Sequence, residues 1–163
     1  MAIRTPILGQ LYTRAIIPAL GMLGLDSPVA RNLVLGTAAQ ETGGRYLVQV
    51  PDGPALSFFQ IEPATARDVL REVASLSPAR YAVLETLQIP GLDPVAQLDC
   101  NLVYAAALCR LRYWIVPDAL PTQADGVYGL AGYWKKFYNT DSGSGTPAEF
   151  VGNFATLIGA LPA

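Results

Sequence analysis

Apolar residues recur along this chain at the spacing of one helix face, and the points where that spacing resets are marked by proline. Six times a residue of capping or acidic type precedes proline: Thr5-Pro6, Ser27-Pro28, Glu62-Pro63, Ser77-Pro78, Asp93-Pro94 and Thr146-Pro147. Proline suits the first helical position because its missing N–H would be unpaired there anyway, and a preceding side-chain oxygen accepts from the next free amides. Each pair is therefore read as a helix start, with a full capping box at Thr146 and Glu149. After Pro63, Ala66, Val69, Leu70, Val73 and Leu76 form one stripe with Arg67, Asp68, Arg71 and Glu72 outside it, the pattern of a surface helix. After Pro94, "VAQLDCNLVYAAALCRLRYWIV" is apolar nearly all round until its arginines, which predicts a central helix surrounded by the rest of the fold. A further helix is expected from about Gly126 to Tyr138, and "DSGSGTP" at Asp141 to Pro147 reads as a loop.

The exception is the stretch from Arg45 to Ile61. Two β-prone runs, "RYLVQV" and "LSFFQI", flank "PDGPA", whose Pro, Asp and Gly supply turn conformations. A small β-hairpin is expected there, inserted into a helical domain. A chain of 163 residues supports one sizeable core, so residues 1–163 are read as a single, mainly α (α+β) domain.

Composition narrows the chemistry. Hydrophobic residues make up 52% of the chain and charged ones 15%, which excludes a disordered chain and leaves apolar surface for a partner. A net charge of -2, with Lys135-Lys136 the only local basic pair, argues against nucleic acid. The chain has no histidine, so His-based triads, His-ligated zinc and imidazole bases are excluded. Carboxylates, hydroxyls or lysine must carry any chemistry, and no metal or cofactor is expected. Cys100 and Cys109, nine residues apart in a segment read as helix, would lie roughly 13 Å apart along its axis, too far for a disulfide. Both are expected to be buried thiols made in a reducing compartment. The apolar N-terminus is interrupted by Gln10, Thr13, Arg14 and Pro18, and its apolar runs fall short of the ~20 residues a bilayer needs. No cleavage site follows a clean apolar run. A soluble protein, made in the cytoplasm without a signal peptide or membrane insertion, is expected.

One carboxylate stands out. In the segment after Pro28, Ala30, Val34, Thr37, Ala38 and Glu41 share a stripe, and Glu41 falls in the last turn before Gly43 and Gly44. Partial burial and the negative end of the helix dipole both disfavour the charged form there, so a raised pKa is expected. A carboxylic acid still protonated near neutral pH is what glycosidic cleavage requires. A solvated helix-end glutamate is the plainer alternative.

The residues that follow are informative. Glu41-Thr42, then "LSFFQIEPATA" at Leu56 to Ala66, then "NLVYAAALCRL" from Asn101 and "GLAGYW" at Gly129 to Trp134 together resemble the lysozyme-like superfamily, most of all the soluble lytic transglycosylase type. The resemblance covers roughly Pro28 to Tyr138. It implies a lysozyme-like domain, a peptidoglycan glycan strand as partner, Glu41 as catalytic acid, and Thr42, Ser57, Phe59, Gln60 and Tyr133 as substrate-binding residues. Tyr133 would face Glu41 across the cleft. The whole chain, with "YWKKFYNT" and "GTPAEFVGNF", also resembles small proteins of tailed phages. That would add phage tail or virion proteins as partners and place the action at the cell wall.

The sequence departs from the family pattern at three points, one of them "KKFYN" from Lys135 in place of a Gly-rich continuation. Ser57 stands where the family has a glycine, and Trp134 where it has asparagine after the tyrosine. Gln60 and Thr65 also have ordinary roles open to them, within the hairpin and at a helix start, and Tyr133 shares a stripe with Leu130 and Phe137 that suits a core position equally well. Asp52 and Glu62 are explained by a turn and a helix start, so no second carboxylate is evident. One acid without a partner fits a transglycosylase, in which a sugar hydroxyl attacks. The alternative is a lysozyme-like domain without catalysis, serving as a phage tail or baseplate component or binding glycan uncut.

Overall fold

The computed structural model describes residues 3–140 and 143–160, and the fold is mainly helical. Of the expected loop, Asp141 and Ser142 lie outside the described residues. Helix α1 (Pro6–Leu11) runs through a π-helical turn, Tyr12–Ile16, into α2 (Ile17–Met22). Then come α3 (Pro28–Glu41), α4 (Pro63–Leu76), α5 (Pro78–Thr86) and α6 (Leu102–Trp114). Helix α7 (Gly126–Trp134) continues into a π-turn, Lys135–Asn139, and α8 (Pro147–Asn153) into another, Phe154–Ile158. No helix of the described residues is long and apolar enough to cross a membrane.

Thr5, Ser27, Glu62, Ser77 and Thr146 each stand at an N-cap with proline in the first turn. Ser27 Oγ accepts from the Ala30 amide at 3.1 Å, and Thr146 with Glu149 closes the capping box. The sixth start differs. Asp93 Oδ1 accepts from the amides of Val95 (2.9 Å) and Ala96 (3.0 Å), and only a 3₁₀ turn, Ala96–Asp99, follows. The stronger start lies at Asn101, whose side chain accepts from Tyr104 N at 3.2 Å and donates to Leu87 O at 2.8 Å. Cys100 thus falls in a break before α6 and is exposed, contrary to the expected pair of buried thiols; Cys109 is fully buried, and both are free.

Helix α6 is the central element. Tyr104 to Leu111 are all buried, and α6 packs against α2, α3, α4 and α5. Helix α4 buries Ala66, Val69 and Val73, while Leu76 at the end of its stripe is exposed.

From Arg45 to Ile61 the described residues form no strand. Isolated antiparallel bridges join Val48 to Leu56 and Leu56 to Ile61, so the second run folds back on itself. The reason lies in two phenylalanines. Successive side chains of a strand point to opposite faces, yet Phe58 and Phe59 are both buried, at 6% and 0% exposure. The chain accommodates both by a tight reversal with left-handed backbone at Ser57 (φ 67°) and Gln60 (φ 47°).

On the far side of α3, Gly36 lets α8 approach closely. A Cβ there would overlap the Phe150 ring and come within 3.1 Å of Phe154 Cδ2. Overpacking of this kind costs about 1–3 kcal/mol. Gly36→Ala is therefore expected to lower the melting temperature by several degrees in a circular-dichroism melt, against the small gain that Ala brings an exposed helix; an unchanged or raised melting temperature would show that α8 is not seated on α3.

Candidate active site

The end of α3 is fixed by its own sequence. Thr42 is the C-cap, and Gly43 (φ 61°) and Gly44 (φ 73°) supply the left-handed conformations that turn the chain away. Thr42 Oγ1 lies 3.2 Å from Ala38 O and 3.1 Å from Phe58 O, and accepts from Gly44 N at 3.1 Å. Its hydroxyl ties the helix end to the loop carrying Phe58.

Glu41, the last residue of α3, points into a polar cleft of about 480 Å³ that it shares with Gln60, Glu62, Thr65, Arg112 and Tyr138. Trp134 Nε1 donates to Glu41 Oε1 at 3.0 Å. Burial pushes the Glu41 carboxyl from its ordinary 4.5 up to about 6, against the opposing pull of the Trp134 hydrogen bond and the Arg112 charge. Arg112 is itself held firmly: Nη2 donates to Tyr138 O at 2.5 Å, and its guanidinium carbon lies 3.8 Å from the centre of the Tyr138 ring. Lys135 Nζ donates to Asn139 Oδ1 (2.7 Å) and Gly143 O (2.8 Å), bracing the cleft's outer rim.

Of the residues expected at the site, Glu41 and Gln60 line the cleft, and Gln60 Nε2 donates to Ser57 O at 2.9 Å. Thr42, Ser57 and Phe59 are buried and do not line it. They act as braces instead. Ser57 adopts the positive φ that a glycine takes without cost, and its Oγ accepts from Phe59 N at 3.2 Å. Phe59 O accepts from Tyr138 Oη at 2.6 Å. Tyr133 does not face Glu41: its hydroxyl donates to Asp118 O at 2.8 Å, and its ring packs on Tyr113 and Phe137. One residue along a helix is a rotation of about 100°, and it is Trp134 that turns toward α3.

Sequence reasoning missed Trp134, Tyr138, Arg112 and the cleft position of Glu62. A signal existed for Arg112, which with Arg110 is one of two charges on an otherwise largely apolar helix, the same kind of sign that singled out Glu41. Among the described residues no cluster of Cys, Asp and Glu is gathered that would hold a metal ion. No family model matches this chain, and neither curated proteins nor solved structures give a match.

The raised pKa has a stability consequence. Below about 4.5 the Glu41 carboxyl is neutral folded or unfolded, and its contribution is fully present; it is lost as pH rises through about 6, where the folded chain must hold a charge the unfolded chain holds more easily. A shift of this size corresponds to about 1–2 kcal/mol for a partly shielded group. Glu41→Gln, which keeps an acceptor for Trp134, should melt about 2–6 °C higher than the wild type at pH 7.5, the gap closing at pH 4. An equal gap at both pH values would mean that Glu41 is not the group responsible.

Proposed function

We propose that the chain is a peptidoglycan lytic transglycosylase with a lysozyme-like fold, and that Glu41 is its general acid and base. The observation that carries this reading is a half-buried carboxyl with pKa raised to about 6, opening on a polar cleft and hydrogen bonded, among the described residues, by one indole N–H. A carboxyl of that pKa is still partly protonated near neutrality, and so gives its proton to a leaving glycosidic oxygen. In the proposed reaction the Glu41 proton passes to that oxygen as the C1–O bond breaks. The 6-hydroxyl of the same muramoyl residue then attacks C1 and gives its proton to the Glu41 carboxylate, which restores the acid and leaves a 1,6-anhydro end. Gln60 and Thr65 supply amide and hydroxyl groups along the cleft, and Arg112 offers a held positive charge. The setting, a phage tail or virion acting on the cell wall, rests on the resemblance of the chain to small tailed-phage proteins.

A second reading has an observation in its favour: Glu62 lines the same cleft as Glu41. A pair of carboxyls is what a hydrolase uses, one as acid and the other to activate water or form the covalent intermediate. Glu62 and Glu41 would then divide those roles.

Mass spectrometry of purified peptidoglycan after incubation separates the two. Wild type is expected to release anhydro-muropeptides, Glu41→Gln none, and Glu62→Gln the same products as wild type. Reducing-end products that vanish with Glu62→Gln would establish the hydrolase. No products from folded wild type would leave a glycan-binding or structural tail domain.

A further inference from the structure

The indole of Trp134 occupies an unusual place. It is 1% exposed, yet its one polar atom is spent on a carboxyl that opens to solvent, and no other described residue hydrogen bonds that carboxyl. The ring is locked from several sides. Phe150 of α8 packs on it, with centroids 5.5 Å apart and planes tilted by 35°, and Phe154 stacks behind Phe150 at 6.2 Å. Gly145 lies at the ring edge, where a Cβ would come within 2.6 Å of Trp134 Cη2. Asn153 of α8 also donates to Gln40 Oε1 at 2.8 Å, holding the residue beside Glu41. Helix α8 thus packs on the indole and bonds the residue before Glu41.

An indole N–H donates and cannot accept. The Glu41 oxygen facing it is the acceptor, and because the carbonyl oxygen of a protonated carboxyl is the stronger acceptor, the bond favours the acid's proton on the other oxygen, Oε2. From these contacts we infer that Trp134 is a positioning residue, set by α8, that assigns the proton of Glu41 to the oxygen facing the cleft and fixes the direction in which it is given. The inference rests on Glu41 being the acid of the proposed reaction. Trp134 touches no reacting atom in this scheme; it acts through Glu41.

The same geometry supplies a readout that needs no turnover, because indole emission responds to the charge of the group its N–H is bonded to. The chain has two tryptophans, Trp114 and Trp134, so Trp114→Phe leaves Trp134 as the sole emitter. In that background Trp134 emission is expected to titrate with one midpoint near 6, and adding Glu41→Gln should abolish the transition. Other groups act on Glu41 from the elements around it, Arg112, Cys109 and Tyr113 from α6 and Tyr138 from the π-turn after α7, and Glu62 lines the same cleft. Burial raises Cys109 to about 12 and both tyrosines well above their ordinary value, so none of these three titrates near 6. Glu62→Gln removes the other carboxyl among the described residues that line the cleft and should leave the transition in place. A flat titration, or one that persists in Glu41→Gln, would overturn the inference.

Kinetics give the second test. The N–H bond favours the carboxylate, so Trp134→Phe should move the alkaline limb of the pH–rate profile to higher pH while kcat falls and KM stays near the wild-type value. Gly145→Ala, which presses on the ring edge without touching Glu41, should lower kcat in the same way and weaken the emission transition, with its far-ultraviolet circular dichroism unchanged. A uniform loss of rate with unmoved limbs would make Trp134 packing only. The two ideas fail separately: a titrating Trp134 in a protein that cuts no glycan keeps the positioning and removes the proposed function, and cleavage with flat emission does the reverse.

Discussion

The hydrogen bond from the Trp134 indole to Glu41 is the contact on which the arrangement of the site depends. A half-buried carboxyl at the end of a helix is unfavourable on its own, because desolvation and the helix carbonyls both oppose its charge. One N–H offsets part of that cost and leaves the rest as a raised pKa. Had the site supplied several donors, the carboxyl would sit at or below its ordinary value and would hold no proton near neutrality. The partial satisfaction is therefore the useful state. It leaves one oxygen anchored on the indole in a carboxyl that lines the cleft.

Holding that contact recruits elements far apart in sequence. Helix α3 brings Glu41, α7 brings Trp134, and α8 seats the indole while bonding Gln40. Gly36 and Gly145 admit α8 and the loop before it, since a side chain at either position would meet an aromatic ring. The opposite wall is tied by hydroxyls: Thr42 reaches Phe58 O, and Tyr138 reaches Phe59 O. Those two carbonyls belong to the reversal whose left-handed residues are Ser57 and Gln60. Conformations of that kind cost energy for residues other than glycine and persist where surrounding bonds over-determine them. Here two buried hydroxyls do so, and the outcome is that Gln60 faces the cleft beside Glu41.

Features that depend only on neighbours along the chain are legible in the amino-acid sequence. The Ser/Thr/Glu-Pro pairs at Thr5, Ser27, Glu62, Ser77 and Thr146 are helix starts because capping is decided within a single turn. Glu41 is legible for the same reason: its place on an apolar stripe before two glycines contains both its burial and its helix-end position. Asp93-Pro94 misleads because two local signals compete. Asp93 is satisfied by a turn, and Asn101, bonded to Leu87 O and Gln97 Oε1 as well as capping Tyr104, is the better start. The expected pairing of the two runs is reduced to one antiparallel bridge, Val48 to Leu56, by a burial demand that β propensity ignores, two adjacent phenylalanines turned to one core.

Tyr133 and Trp134 show where local reasoning ends. Both are aromatic, both lie on α7, and both are buried, so nothing in the run "GLAGYW" decides which of them meets α3. The decision is made by partners outside α7. Tyr133 has a carbonyl acceptor in Asp118 and two aromatic neighbours on its own side. Trp134 has a flat surface waiting in Phe150 and an acceptor in Glu41. Tyrosine in the Trp134 position would carry its hydroxyl on a shorter, single ring, able to accept as well as donate, and could not by itself decide which Glu41 oxygen holds the proton. Tryptophan biases it toward the oxygen turned away from the indole because it can only donate. One of the residues that departs from the resembled family is thus the one that biases this carboxyl toward a single direction.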